Sequence, residues 1–426
     1  MSESDVCDTA CDDESRQITS TPAVLLIAAV SLLALMAVTW RLWVPLNGYP
    51  RVPLLSIGLM LPSVIDGIAA TLLIGSVLAS LLPQLGKLRG RCLLAAAVAL
   101  AILFVTDQHR LQPWAFESLW IFVALALCRE RVALRWIRFL VISIYFWSGV
   151  SKLDSQFAHT TGREFLVGLS DLLGQTVDAW PESVRIATTL ALPLVELCIA
   201  VLLIFPKTRR IAVAGGVAMH AVLIVLLSPL GLNHQPAVLL WNATSALLTV
   251  ALFRRPTVQH EEVLSGQPRF QGFAIAMICL VIVLPLAEPW GRYDHWLAWG
   301  LYAPHNSRVV LLVNEEVVGR LPKEVRKHVV RVDDVGGTTQ LFHVRLDRWS
   351  IASQSVPIYP QQRFQAGVAY WIIRRSDLRS GFQVHLQSAS DRRTGERSTV
   401  VVSDVDHLRM QLSRYGLNAF PRDVAI

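Results

Sequence analysis

Charge is scarce in this chain. Asp, Glu, Lys and Arg make up 17% of 426 residues against 53% hydrophobic, and mean hydropathy is +0.46. A soluble domain carries about 25% charged residues, so a wholly soluble globular protein is excluded. Cysteine is thin as well. Cys92, Cys128, Cys198 and Cys279 lie in or beside apolar runs, and none follows residue 290, which leaves no material for a disulfide framework there. Cys7 and Cys11 form a CxxxC in a polar leader, two thiols without the second pair that a structural zinc site needs. No metal is expected.

Enzyme signatures are missing too. The sequence has no internal repeat, Walker loop, dinucleotide fingerprint, HExxH pair or nucleophile elbow. The acidic leader (Asp5, Asp8, Asp12, Asp13, Glu14) lacks the basic start and small-residue cleavage site of a secretory signal. The net charge of +7 comes mostly from loop arginines and gives no reason to expect nucleic acid as a partner.

What the chain does have is helix-length apolar runs. Nine fall near the ~20 residues that cross hydrocarbon: 22–45, 53–82, 92–106, 114–128, 134–151, 186–205, 211–228, 236–253 and 271–289. The second is long enough to tilt or to kink at Pro62, and the third and fourth are short. Lys87, Arg89 and Arg91 follow the second run, Arg129, Arg131, Arg135 and Arg138 the fourth, Lys207, Arg209 and Arg210 the sixth, and Arg254, Arg255 and Arg269 the eighth. Basic residues thus fill every second loop, which by the positive-inside rule puts the amino terminus in the cytoplasm and everything after about Glu288 outside. Arg41 and the acidic leader favour the reverse, but acidic residues weigh little in this rule.

After Trp290 the pattern changes. Ser307–Val313, Gln340–Leu346, Phe382–Leu386 and Thr399–Val402 read as strands, with a turn at Gly336-Gly337. Pro322–Arg331, Gln361–Arg374 and Asp404–Tyr415 have helical periodicity, with Asp404 a candidate N-cap. The expected architecture is an all-α polytopic bundle of about nine spans (22–290) in the plasma membrane. A leader (1–21) precedes it, and a small extracytoplasmic α+β domain (291–426) follows, tethered by the aromatic stretch Trp290–Trp299.

Polar groups inside or at the ends of the spans are the functional candidates, because each is expensive in hydrocarbon unless it has a partner or a use. Lys152 ends the run ISIYFWSGVSKLDSQF beside Asp154, Glu196 and His220 are mid-span, and Asn242 sits in the eighth span. One cavity shared by Lys152, Glu196, His220, Asn233, His234 and Asn242 is the functional reading; helix-packing glue, with Glu196 and His220 bonded to each other, is the structural alternative. For Lys152 the choice is between a lysine snorkelling beside Asp154 and a desolvated, neutral amine near Tyr145 and Trp147, competent as a base. Asp66 and the Asp107, His109, Arg110 group look like membrane-edge residues.

The segment Tyr145, Phe146, Gly149, Val150, Lys152, Leu153, Asp154 resembles the YF-x-AGV-x-KLD segment of vitamin K-dependent gamma-glutamyl carboxylase and the wider horizontally transferred transmembrane domain family. Glu196, Arg209, Arg210 and His220 follow in the family's order. The resemblance implies a multi-span bundle over about 20–290 and a reduced quinone as cofactor. It implies Lys152 as the base that deprotonates it and His220 as a cavity residue, with an exported protein as substrate. Ser151 stands where the carboxylase has a second lysine, and the tail is far shorter than the carboxylase's lumenal region. Three functions follow: a quinol-dependent membrane enzyme, a membrane subunit passing electrons between quinone and an exported partner, and a non-catalytic scaffold displaying the tail.

Overall fold

A computed structural model describes residues 20–44, 48–254, 270–332 and 340–422. Cys7, Cys11, Arg255, Arg269 and the Gly336-Gly337 turn lie outside the described residues. Among those described, eight helices are long and apolar enough to cross a membrane, and the apolar helix Pro113–Leu127 is shorter. The bundle helices are α1 (Ser20–Val38), α2 (Val64–Leu81), α3 (Arg89–Thr106), α4 (Pro113–Leu127), α5 (Glu130–Ser151), α6 (Glu182–Ile204), α7 (Arg209–Leu227), α8 (Pro236–Phe253) and α9 (Gln271–Val283). An α-helix satisfies most of its backbone polar groups within itself, the condition for crossing hydrocarbon. Outward-facing Ile68, Leu78, Val201 and Phe273 are exposed, as lipid contacts require. The chain is an integral, multi-pass membrane protein.

Neighbours in sequence pack as neighbours in space: α2 with α3, α3 with α4, α5 with α6, α7 with α8. Contact between α8 and α1, including a Thr244 to Ser31 hydroxyl bond of 2.8 Å, adds a long-range closure. The second apolar run is shorter than expected. Proline at 53 and 62 interrupts helical hydrogen bonding, and the chain forms one 3-10 turn (Ser56–Leu59) before α2. Its first residues instead bond to the end of α3 and the loop after it, Leu54 N to Val105 O and Gln108 N to Val52 O, both 2.9 Å. Two helices between α5 and α6, Ser155–His159 and Thr161–Leu172, were not expected from the sequence.

The tail forms a five-stranded antiparallel sheet ordered β2-β3-β1-β4-β5, from β1 (Arg308–Asn314), β2 (Val329–Arg331), β3 (Leu341–Val344), β4 (Phe382–Gln387) and β5 (Thr399–Val402). Leu311 pairs with Val344 on one side and Val384 on the other, and Val384 with Val402. All four are fully buried, so alternate residues build one apolar face. β2 corrects the helical reading of Pro322–Arg331: only Lys323–Arg326 is helical, and Val330 then pairs with His343. Helices α10 (Leu346–Gln354), α11 (Gln362–Arg375) and α12 (Val405–Ser413) complete the tail, and Asp404 caps α12 by accepting from His407 N at 2.8 Å.

The tail docks on the bundle. α11 is buried from Arg363 to Ile373, with the sheet on one side and the bundle end on another. Gly367 marks the closest approach: a Cβ there would lie 2.2 Å from Ala419 O and 3.2 Å from Val52. Gln108 Nε2 donates to Asn418 O (2.7 Å), Arg363 Nε to Gln108 Oε1 (2.8 Å), and Arg41 to Ala352 O (2.9 Å). The connecting segment is pinned as well, since Asp294 is ion-paired to Arg363 and accepts from the Tyr359 hydroxyl at 2.6 Å. One hydrophobic cluster runs from Val24 in α1 to Ala419. Described basic residues gather at the other end, where Arg138 donates to Leu252 O, Arg129 N to Gln271 and Arg209 lies over Phe253.

Candidate functional site

Lys152 follows the last turn of α5, where the unpaired carbonyls favour a cation. Tyr145, Ser148 and Lys152 fall on one helical face at i, i+3 and i+7. Opposite stands α6, and the motif's Gly149 lets it come close: a Cβ at 149 would lie 2.8 Å from Leu197 and 2.9 Å from Pro193 O. That approach brings Glu196 to Lys152. The ammonium donates to both Glu196 oxygens (3.0 and 2.9 Å), to Ser148 O (3.0 Å) and to Ser148 Oγ (2.6 Å). Lys152 is 5% exposed, which corrects the picture of a lysine snorkelling to the interface.

A second polar string crosses the bundle about two turns of α5 away from Lys152. Tyr145 Oη lies 2.8 Å from His220 Nε2 and 2.9 Å from Thr249 Oγ1, and His220 Nδ1 lies 2.9 Å from Asn242 Oδ1. Asn242 Nδ2 donates to Val238 O at 2.9 Å, so the string joins α5, α7 and α8. Glu196 and His220 therefore do not satisfy each other, contrary to the packing-glue alternative; each has its own partner.

Both sets line one cavity of about 520 Å³. Its walls hold Tyr145, Lys152, Glu196, His220, Asn233, His234 and Asn242, seven of the sequence candidates. Asp154 is not among the lining residues. It turns away, accepting from Phe157 N (2.7 Å) as an N-cap and facing His305 (2.9 Å), so it does not compete with Glu196 for Lys152.

Sequence reasoning missed three contributions. Glu117, 4% exposed on α4, lines the cavity and accepts from Trp241 Nε1 at 2.8 Å; its short helix hid it. The cavity's apolar walls include Trp114, Trp241 and Leu223. The tail supplies a roof of Trp296, Tyr302, Ile351, Val356 and Pro357, with the Tyr302 hydroxyl 3.1 Å from His234 Nδ1. A roof built by residues far apart in sequence leaves no local pattern to read.

Chemically the cavity offers a cation and an anion side by side, a hydroxyl–imidazole pair, a buried carboxylate and broad aromatic surface. That set suits a largely apolar molecule with a compact polar head.

Comparison with known proteins adds one match. Residues 130–233 match the model of the family described as methylamine utilisation protein MauE. No curated protein and no solved structure matches the chain. The matched segment holds Tyr145, Lys152, Asp154, Glu196, His220 and Asn233, the same region on which the carboxylase resemblance rests, and the comparisons give that resemblance no support. The protein is thus a multi-pass membrane protein whose site-bearing segment, from α5 to the loop after α7, is similar to MauE.

Proposed function

We propose that the protein binds a quinone-type molecule in the α4–α8 cavity and exchanges protons with its ring oxygens. The observation that carries this reading is the Lys152–Glu196 pair in the cavity wall, held by Ser148 and lined up with Tyr145 on one helix face. A quinol hydroxyl meeting the pair finds a carboxylate to accept its proton and an ammonium to stabilise the oxyanion left behind. The base is then Glu196 and the electrostatic partner Lys152, which revises the role that the carboxylase resemblance gave to the lysine. At the far side of a ring, Tyr145 and His220, bonded to each other and to Thr249 and Asn242, form the polar wall that faces the second oxygen. The apolar walls take the ring and its isoprenoid tail.

A buried Lys152 favours this reading over a scaffold that merely displays the tail. An exported protein substrate, or an exported electron-transfer partner, would reach the site through the roof residues Trp296 and Tyr302. We further propose that the roofed end is extracytoplasmic, because described basic residues gather at the opposite end; an alkaline phosphatase fusion after Ile426 should be active, and one after Arg255 inactive. The family name also suggests a growth assay on methylamine with the gene deleted.

The direct test is photolabelling. In lipid nanodiscs an azido-quinone should label peptides covering 141–152 and 219–242, and excess unmodified quinone should compete. Labelling confined to outward-facing residues such as Ile68 or Phe273, or label that quinone fails to displace, removes the reading.

A further inference from the structure

We propose that Glu288, His295 and His305 form a binding site for one divalent transition-metal ion of the zinc type, separate from the cavity. No metal was expected from the sequence, because the three ligands share no motif and lie on a 3-10 turn and the connecting segment. Their ligand atoms all lie within 4.8 Å of one another, and both histidines are buried (3% and 2% exposed).

Proton counting points to the ion. His295 Nδ1 lies 2.8 Å from Glu288 Oε1 and its Nε2 2.9 Å from Ala303 O. His305 Nδ1 lies 2.9 Å from Asp154 Oδ2 and its Nε2 3.0 Å from the same Glu288 oxygen. All four ring nitrogens therefore face oxygen acceptors. A neutral imidazole has one N–H, so one nitrogen of each ring would meet an acceptor with a bare lone pair. Arg392, 3.1 Å from Glu288 Oε2 and 3.3 Å from His305 Nε2, can donate to the His305 lone pair, so protons alone satisfy the group only with an imidazolium at His295, whose centroid is 4.8 Å from that of His305.

One dication takes the place of that proton and of the Arg392 contact at His305 Nε2. Both imidazoles are then neutral: their outer N–H groups donate to Ala303 O and Asp154, and their inner lone pairs converge with Glu288 Oε1 on the ion. A ligating histidine whose second nitrogen is held by a carboxylate or a backbone carbonyl is the arrangement metal sites use to fix tautomer and ring orientation. Arg392, on the other Glu288 oxygen, keeps that carboxylate monodentate and opposes the ion's charge, which tempers its affinity. Gly300 holds the loop against the ring, since a Cβ there would lie 2.7 Å from His295 Cε1. Two imidazoles and one carboxylate match a zinc site with an open fourth position. Asp154 of the KLD segment then serves to orient His305.

The test uses the full-length protein in nanodiscs, stripped of metal and titrated with Co²⁺, then with Zn²⁺ as competitor. One Co²⁺ per chain with the intense visible bands of a four- or five-coordinate site is expected, displaced by Zn²⁺. Asp154→Asn, which preserves the helix cap, should weaken binding ten- to 100-fold at unchanged stoichiometry. The His295→Ala/His305→Ala double variant should show none of the bands. Only the weak spectrum of aqueous cobalt in the wild type, or wild-type binding in the double variant, overturns the site. Should the double variant fail to fold, X-ray absorption of the Zn²⁺-loaded wild type decides: two imidazoles in the first shell support the site, and none overturns it.

Discussion

Two buried charge clusters in this molecule, each built of a carboxylate, basic side chains and a hydroxyl, serve opposite ends. Asp66 in α2 is fully buried and surrounded by donors: Arg110, Arg51 (3.2 Å), Arg422 (2.7 Å) and the Thr106 hydroxyl (2.7 Å). The guanidiniums are tied down in turn, Arg110 to Leu42 O (3.1 Å) and Arg422 to Thr106 O (3.0 Å). That knot joins the bundle to the end of the tail. The Lys152–Glu196 cluster is a single cation on a single anion, with a cavity beside it. A carboxylate saturated by donors has no capacity left for a ligand; a pair that borders empty space does. Burial of charge alone therefore does not mark a site, and the number of partners relative to bonding capacity separates fastening from chemistry.

The largest effect expected from this contrast is at Asp66. Asp66→Ala leaves three guanidiniums without their anion and should destabilise the fold by about 3–5 kcal/mol, read as a fall in thermal midpoint or in yield of monodisperse protein. A variant as stable as wild type would break the comparison. Next, Lys152→Ala should destabilise by less, because cavity water can solvate the Glu196 left behind, and Lys152→Ala/Glu196→Ala should recover part of that loss. If Lys152→Ala is more damaging than Asp66→Ala, the pair is the structural cluster.

A smaller effect concerns pH at the loop between α3 and α4. Burial raises the Asp107 carboxyl to about 6, with Arg110 opposing, and lowers the His109 imidazole to about 4. Between pH 4 and 6 the folded state holds a proton on Asp107 that the unfolded chain has released, so this group's stability contribution falls as pH rises. His109 works the other way: up to about pH 6.5 the unfolded chain binds a proton that the folded state does not, so stability rises with pH. The two slopes oppose each other. Asp107→Asn should expose the His109 slope, a gain relative to wild type of about 2 kcal/mol from pH 4 to pH 6, measured by thermal unfolding in detergent. Parallel pH profiles for the two proteins would refute it. The smallest effect belongs to Asp154→Asn, which keeps the cap and should change stability by under about 1 kcal/mol.

Much of this was legible in the sequence. Hydrocarbon leaves few options for a backbone, so helix-length apolar runs located most bundle helices to within a few residues; Pro53 and Pro62 broke the second run, the first helix ends at Val38, and the ninth gives way to a 3-10 helix at Leu284. Period-2 patterning located four of five strands; β2 was hidden because three residues are too few to establish a period. Seven candidates met in one cavity because each was an isolated polar group in or beside an apolar span. Partner choice was illegible. Glu196 is 44 residues from Lys152 and Asp154 only two away, yet the helix turns the near carboxylate outward while Gly149 and Pro193 draw the far one in. The roof and the Glu288, His295, His305 group were invisible for the same reason: they exist only once the tail has docked.

If the cavity at Lys152 binds a quinone-type ligand and the cluster at Asp66 only fastens the fold, the two should respond differently to a ligand titration. Tryptophan quenching by a short-chain quinone in nanodiscs measures this directly, since Trp114, Trp241 and Trp296 line the cavity. Wild type and a folded Asp66→Asn variant should bind one quinone per chain with equal affinity, and Lys152→Ala should bind at least tenfold more weakly, a loss of about 1.4 kcal/mol. Equal affinity in Lys152→Ala and wild type, or no saturable quenching in wild type, would contradict the account.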